Sequence, residues 1–122
     1  MQNDEQTGAV IGAAIEVHRE FGPGFLEAAY AKALEMELKD RDIPFVRELQ
    51  IPLSYKGKAT GVPYRADFFL EPDLIVELKA VPDVGSRERR QVLHYLKATG
   101  TKRGLLLNFG RDRLQIERVV LA

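Results

Sequence analysis

Two adjacent runs determine which strands pair: Tyr64-Arg65-Ala66-Asp67-Phe68-Phe69-Leu70 and, closely after it, Asp73-Leu74-Ile75-Val76-Glu77-Leu78-Lys79-Ala80. Both runs are typical of strands. The connection Glu71-Pro72-Asp73 is so short that the two strands are expected to be antiparallel neighbours. This short connection therefore decides which side chains of the two runs lie next to each other.

Alternation along the second strand separates an apolar face from a polar one. Successive side chains on a strand point to opposite faces, so alternate residues share a face. Leu74, Val76 and Leu78 share one face and supply a core. Glu77 and Lys79 share the other, so a carboxylate and an ammonium group stand together at Glu-x-Lys spacing.

Asp67 of the first strand adds a second carboxylate to this polar face. It alternates with Ala66 and Phe68, and antiparallel pairing would place it beside Glu77. Mg²⁺ takes oxygen ligands, and one or two carboxylates with a substrate phosphate make a typical site. Such a metal acts as a Lewis acid and lowers the pKa of a bound water, while a nearby lysine orients that water or stabilises developing negative charge. Asp67, Glu77 and Lys79 therefore predict metal-assisted phosphodiester hydrolysis, against the alternative of a solvated strand face.

Composition restricts the class of protein. The chain has 122 residues, 45% of them hydrophobic and 30% charged, which predicts one compact domain over residues 1–122. The absence of cysteine excludes disulfides, thiolate metal sites and cysteine nucleophiles, and fits a cytoplasmic protein. No apolar run approaches the ~20 residues of a membrane span, and the acidic start is unlike a signal peptide, so no membrane association is expected.

The charge balance limits how the chain would bind nucleic acid. Its 18 lysines and arginines equal its 18 aspartates and glutamates. Because phosphate contacts by basic residues supply most nucleic-acid affinity, a neutral chain argues against tight non-specific binding by the monomer. Any nucleic-acid contact must then come from a local basic patch.

Hydrophobic periodicity predicts the order α-α-β-β-β-β-α-β-β. The helix at 85–99 would start at the N-cap Ser86, end at the C-cap Gly100, and connect two strands of a mixed sheet as a crossover. Lys56-Gly57-Lys58 is a plausible hairpin turn. The predicted helices cover residues 8–21, 25–40 and 85–99, and the predicted strands cover 45–49, 51–55, 64–70, 73–80, 104–109 and 113–119.

Two helices carry further candidate residues. On the third helix Gln91 and Tyr95 are four apart and so share a face, with Arg87 one turn earlier and Arg90 in the same basic concentration. A charged run on a helix is usually a solvated face, but this one flanks the predicted site. His18 closes the apolar stripe of the first helix, where a histidine is more often structural than a ligand.

The start of the second helix carries Glu27 and Tyr30, which are three apart and share a face. An acid in the first turn is favoured by the helix dipole, which is the structural interpretation of Glu27. Burial with a satisfied hydroxyl is the structural interpretation of Tyr30.

Several separated blocks resemble one family. Gly24-Phe25-Leu26-Glu27-Ala28-Ala29-Tyr30 matches the pattern that gives the GxxExxY proteins their name. The other similar blocks are residues 17–24, 75–80, 91–97 and 104–110. That family is placed in the PD-(D/E)XK nuclease superfamily, so the resemblance implies a restriction-endonuclease-like α/β fold with a mixed sheet flanked by helices.

The resemblance also implies roles. Asp67 and Glu77 match the motif acids and Lys79 the motif lysine, while Glu27 matches an acid that in the superfamily often helps to hold the metal or its waters. Gln91 and Tyr95 resemble the Gln-x-x-x-Tyr helix signature of RecB-like exonucleases, in which such residues contact metal-bound water or the phosphate backbone. Tyr30, Arg87 and Arg90 join the predicted substrate contacts. Ala66 stands where the superfamily name has proline, a position that supplies no ligand.

The function predicted at this point is a Mg²⁺- or Mn²⁺-dependent nuclease, with DNA favoured over RNA by analogy. The main alternative is a non-catalytic nucleic-acid or protein interaction module on the same fold, favoured by the zero net charge and the small size. A third is an enzyme acting on another phosphoester or nucleotide. Endonuclease or exonuclease action stays open, as does a symmetric homodimer, which no residue requires.

Overall fold

The computed structural model describes residues 4–122 and contains, within that range, three helices and seven strands. Five strands, rather than the predicted four, separate α2 from α3, because residues 54–59 form a short hairpin of their own around Lys56 and Gly57. The helices are α1 Glu5–Phe21, α2 Glu27–Asp40 and α3 Ser86–Thr99, and the strands are β1 Val46–Ile51, β2 Ser54–Tyr55, β3 Lys58–Ala59, β4 Tyr64–Leu70, β5 Leu74–Lys79, β6 Arg103–Asn108 and β7 Gln115–Val120.

The main sheet has five strands in the order β1-β4-β5-β6-β7. Strands β4 and β5 are antiparallel neighbours, as their short connection predicted. Strands β5 and β6 are parallel and are joined through α3, while the outer pairs are antiparallel. The predicted mixed α/β sheet with a helical crossover is therefore confirmed.

The two faces of this sheet pack into separate cores. Leu74, Val76 and Leu78 pack with residues of α1 and α2 in the larger cluster. Ile75 packs under α3 with Val92 in the smaller cluster. The face of β5 that carries Glu77 is therefore covered by a helix, which excludes the solvated strand face considered above.

Strict alternation fails at one point of β4. Ala66 was predicted to share a face with Phe68, yet Phe68 lies in the larger cluster and Ala66 in the smaller one. The regular pairing of β4 with β5 runs from Phe68 to Leu70 and does not extend to Asp67. The change of face therefore falls at the residue that carries the first candidate carboxylate.

The start of each helix differs from the prediction, and α2 begins at Glu27 rather than at residue 25. Asp4 caps α1 by accepting a hydrogen bond from the backbone N–H of Thr7 at 2.7 Å, so the helix begins at Glu5 rather than at residue 8. The N-cap of α3 is Gly85, whose N–H donates to the side chain of Glu88 at 2.8 Å, and not Ser86 as predicted. Gly100 ends α3 in the left-handed conformation, with φ of 72°, as predicted.

None of the three described helices has the length and apolar composition needed to cross a bilayer.

The segment after β5 is held by the end of β6. The side-chain amide of Asn108 donates to the carbonyl of Val81 at 2.9 Å and accepts from its N–H at 3.0 Å. The backbone of Phe109 donates to the carbonyl of Lys79 at 2.8 Å. Gly110 packs so close to Val81 that an added Cβ would lie 2.7 Å from its carbonyl carbon. These contacts fix the end of the strand that carries Glu77 and Lys79.

We expect Gly110→Ala to lower the free energy of unfolding by about 1–3 kcal/mol, because its Cβ would overlap the Val81 backbone and no flexible side chain could move away. Gly8→Ala is the control. Its Cβ would meet nothing within 4 Å, and alanine favours a helix, so stability should rise by up to about 1 kcal/mol. Urea unfolding followed by circular dichroism measures both, and equal stabilities would contradict the proposed close packing.

Candidate active site

Asp67 and Glu77 bind each other's strand through reciprocal hydrogen bonds. Glu77 Oε1 accepts from the backbone N–H of Asp67 at 3.0 Å, and Asp67 Oδ2 accepts from the backbone N–H of Leu78 at 2.7 Å. The carboxyls therefore replace the backbone pairing that β4 and β5 lack at this point. Each carboxyl keeps one oxygen, Oδ1 or Oε2, to which no N–H donates within residues 4–122.

Burial changes the protonation of both acids. Glu77 is 5% exposed. Burial, and secondly the negative charge of Asp67, raise the pKa of Glu77 to about 8. Burial also raises the pKa of Asp67, although the Leu78 N–H and the charge of Arg47 act in the opposite direction. At neutral pH the carboxyl of Glu77 therefore keeps its proton.

Lys79 stands two residues beyond Glu77 on the same strand, and its side chain is half-buried. Its positive charge is close enough to act on the carboxyls of Asp67, Glu77 and Glu88. It forms no ion pair among the residues that the structure describes. The ammonium group is thus near the acid pair and uncommitted, which suits a role in binding an anion or a water.

A groove of about 880 Å³ runs beside α3 and brings together the candidates of that helix, Arg87, Arg90, Gln91 and Tyr95. Tyr95 connects the groove to the acid pair. Burial raises its pKa to about 12, and the negative charges of Glu77 and Asp67 contribute to this shift. The structure thus brings these four residues together in one groove, in which Tyr95 is the member on which the charges of the acids act.

Sequence reasoning missed two contributors near the site. Arg47 of β1 donates to the backbone carbonyl of Asp67 at 2.6 Å and lies over the Phe68 ring, with 4.7 Å from its guanidinium carbon to the ring centroid. Tyr64, at the start of β4, lines the groove and meets Tyr95 edge to face at a centroid distance of 6.4 Å. Both depend on the pairing of β1 with β4 and on the position of α3, for which neither residue carries a local signal.

Glu27 and Tyr30 are not brought into this cluster. Glu27 is exposed at the start of α2, and within residues 4–122 no group of three or more acidic or histidine side chains could hold a metal. Tyr30 is fully buried, stacks on Phe109 at 4.6 Å, and accepts a hydrogen bond from the Phe25 N–H at 3.2 Å. It has no surface left for a substrate, so the geometry supports the interpretation of a buried, satisfied hydroxyl instead.

His18 is also structural. It is buried on α1 and its Nε2 lies 2.8 Å from the backbone carbonyl oxygen of Arg111, which ties the helix to the loop after β6.

The model of the PD-(D/E)XK nuclease superfamily matches residues 4–119. The chain belongs to this superfamily. The match includes the interrupted β4–β5 pair, Lys79 and α3, so the candidate site lies wholly within the matched region.

One solved structure has a similar fold. The crystal structure of SSO0001 matches with a TM-score of 0.62 and 19% sequence identity, over 77% of the present chain and 50% of the other. The present chain thus corresponds to half of that solved chain, and the likeness concerns the fold alone. No curated protein matches the sequence.

Members of the superfamily generally use divalent metal ions. The acid pair fits such an ion in its donor chemistry, because each carboxyl presents a free oxygen and hard divalent cations prefer oxygen ligands. It also fits electrostatically, since a cation would favour the charged form of Glu77 against the burial and, secondly, the repulsion by Asp67 that raise its pKa. Asp67 and Glu77 are therefore the residues that would hold the metal.

We expect the stability of the metal-free protein to fall as pH rises from 5 to 8. In this window the folded state keeps a proton on Glu77, whose pKa is about 8, while the unfolded chain, with a pKa near 4.5, has lost it. The contribution is complete below pH 4.5 and is lost through pH 8.

Glu77→Gln has no titratable group at this position, so its free energy of unfolding should depend less on pH. At pH 8 it should be about 1–3 kcal/mol more stable than the wild type. Glu20→Gln, at an exposed position of α1, should follow the wild type. Urea unfolding with a chelator at several pH values tests this expectation. Parallel curves for Glu77→Gln and the wild type would show that Glu77 titrates normally.

Proposed function

We propose that this chain is a metal-dependent nuclease that hydrolyses phosphodiester bonds in DNA, with Mg²⁺ or Mn²⁺ as the ion. The observation that carries the proposal is the pair formed by the buried carboxyl of Glu77 and the half-buried carboxyl of Asp67, beside the uncommitted ammonium of Lys79. Two neighbouring acids that are withdrawn from water and repel each other destabilise a scaffold. Their presence is accounted for if they serve to bind a cation.

The residues of the site would have different roles in the reaction. Asp67 and Glu77 would hold the ion, which supplies Lewis-acid chemistry at the scissile phosphate. Lys79 would orient the attacking water and stabilise the negative charge that develops on the phosphate. Gln91 and Tyr95, one helical turn apart and both lining the groove, would orient the substrate.

The basic residues of α3 would meet the phosphate backbone. Arg87 and Arg90 are exposed, line the groove, and form no ion pair among the described residues. They supply the local basic patch that a chain of zero net charge needs for nucleic-acid binding. The preference for DNA over RNA rests on the resemblance of the Gln-x-x-x-Tyr helix to RecB-like exonucleases.

Within the superfamily we assign the chain to the GxxExxY proteins. The support is the pattern from Gly24 through Glu27 to Tyr30. In this pattern Tyr30 has a structural role, because its hydroxyl donates to the carbonyl of Gly22 and accepts from the N–H of Phe25, holding the loop between α1 and α2.

We expect Asp67→Asn and Lys79→Ala to lower cleavage of linear and circular DNA at least about 100-fold while leaving the fold intact, because a lost metal ligand or charge-stabilising group costs about 3 kcal/mol or more of transition-state stabilisation. Single- and double-stranded substrates are incubated with Mn²⁺ or Mg²⁺. Lys32→Ala, at an exposed lysine on the other side of the sheet, should cut like the wild type.

If the wild type cuts no polymer, or if the variants at Asp67 and Lys79 cut as it does, the interaction module becomes the better assignment. Cleavage of short nucleotides alone would favour an enzyme on a different phosphoester.

We expect Mn²⁺ at 100 times its dissociation constant to stabilise the wild type by about 2.7 kcal/mol at pH 8. Asp67→Ala should lose most of this stabilisation, because one of the two ligands is removed. Thermal unfolding with and without Mn²⁺ measures the difference, and the exposed Asp40→Ala is the control. Equal stabilisation of all three proteins would place the ion elsewhere.

A further inference from the structure

The groove beside α3 has a cationic edge. Arg87, Arg90 and Lys97 line it at helical spacing, so they form one row along the helix. None of the three has an ion pair among the described residues, whereas Arg89, outside the groove lining on the same helix, binds Glu117 at 2.6 Å. No aspartate or glutamate occurs in the lining drawn from residues 4–122. The positive charge of the groove lining therefore favours a negatively charged ligand.

The opposite wall is apolar and aromatic. It is formed by the end of β1, the residues 52–54 that follow it, and the start of β4. Tyr64 is 41% exposed there and Leu53 is 42% exposed, although both are large apolar side chains. The Tyr64 ring packs edge to face with Tyr95, at 6.4 Å between the ring centroids, and this contact supports the Tyr64 ring beside the groove. An exposed, supported aromatic ring opposite a row of cations matches a ligand that combines anionic groups with flat apolar surfaces.

Tyr95 relates the groove to the acid pair, although neither carboxyl is part of the groove lining. The Tyr95 side chain lines the groove, and the charges of Glu77 and Asp67 act on its hydroxyl. A ligand in contact with Tyr95 would therefore lie on the side of the groove that is nearest to the acid pair.

We infer that the groove binds a single, unpaired DNA strand, with its phosphates along Arg87, Arg90 and Lys97 and a base stacked on Tyr64. In a duplex the base faces are covered by their neighbours, so the apolar wall would lose water without gaining a partner. The cationic row spans roughly 15 Å at 1.5 Å per helical residue, which suits a short run of nucleotides. This inference rests on the proposed nuclease function and specifies its substrate as single-stranded.

The test is binding without catalysis, measured by fluorescence anisotropy of labelled DNA in the presence of a chelator. We expect a twelve-nucleotide thymidine strand to bind at least about tenfold more tightly than a twelve-base-pair duplex. Tyr64→Ala should weaken strand binding about 5- to 50-fold, and Tyr64→Phe should restore it, because stacking needs the ring and not the hydroxyl. Tyr55→Ala is the matched control, since Tyr55 is exposed on the neighbouring hairpin and does not line the groove.

Two further measurements separate stacking from phosphate binding. An abasic strand should bind the wild type more weakly than the thymidine strand does, and Tyr64→Ala should leave the affinity for the abasic strand unchanged. Arg90→Ala should weaken the binding of the thymidine strand and of the abasic strand by the same factor. It should also reduce the slope of log affinity against log salt concentration by about 0.7, for one lost phosphate contact. Circular dichroism checks that the variants are folded, and the abasic comparison on the wild type needs no variant.

Equal binding of duplex and single strand, or equal effects of Tyr64→Ala and Tyr55→Ala, would overturn the inference. In that case, metal-dependent cleavage of DNA in a separate assay without the chelator would still support the nuclease. Conversely, strand binding that depends on Tyr64 without any cleavage would support the groove and remove the nuclease assignment.

Discussion

The structure depends on the junction of β4 and β5, where two carboxyls take the place of backbone pairing. Glu77 accepts from the Asp67 N–H and Asp67 accepts from the Leu78 N–H, so each acid is held by the strand opposite. Because the strands are fixed by the short connection at residues 71–73, the acids cannot separate. The result is a pair of neighbouring acids in which Glu77 keeps its proton at neutral pH when no cation is present, because burial and the charge of Asp67 raise the pKa of Glu77 to about 8. Local instability of this kind is typical of functional sites.

The remaining elements position chemistry around that junction. The crossover through α3 is required by the parallel pairing of β5 and β6, and it places Gln91 and Tyr95 on the face that carries Glu77. Asn108 and Gly110, at the end of β6, hold the segment that follows Lys79. The helices α1 and α2 cover the other face with an apolar core and leave the site to one side of the sheet. The proposed strand-binding groove arises between α3 and the edge formed by β1 and β4.

Much of the fold was predictable because its signals are local. The alternation of residues 74–79, the short connection before them and the apolar stripe of residues 85–99 predicted the antiparallel pair and the crossover. Errors occurred where a signal was weak or shared. Ser86 is a good capping residue, but Gly85 takes the cap because Glu88 reaches back to its N–H. The two strands of the hairpin at residues 54–59 were not separated in the prediction, because each is only two residues long and therefore too short to show a periodic pattern.

For the site, the sequence by itself determined that Asp67, Glu77 and Lys79 share a neighbourhood, since strand parity and a short connection are properties of adjacent residues. Only the tertiary structure decided which of the other candidates join them. It buried Tyr30 against Phe109, left Glu27 exposed outside the acid pair, brought Arg47 to Asp67 from β1, and set Tyr64 against Tyr95 of α3. It also decided that the polar face of β5 is covered by α3, which raises the pKa values of the acids. Contacts between distant segments and the burial that follows from them leave no mark on local sequence, and they require the packed sheet.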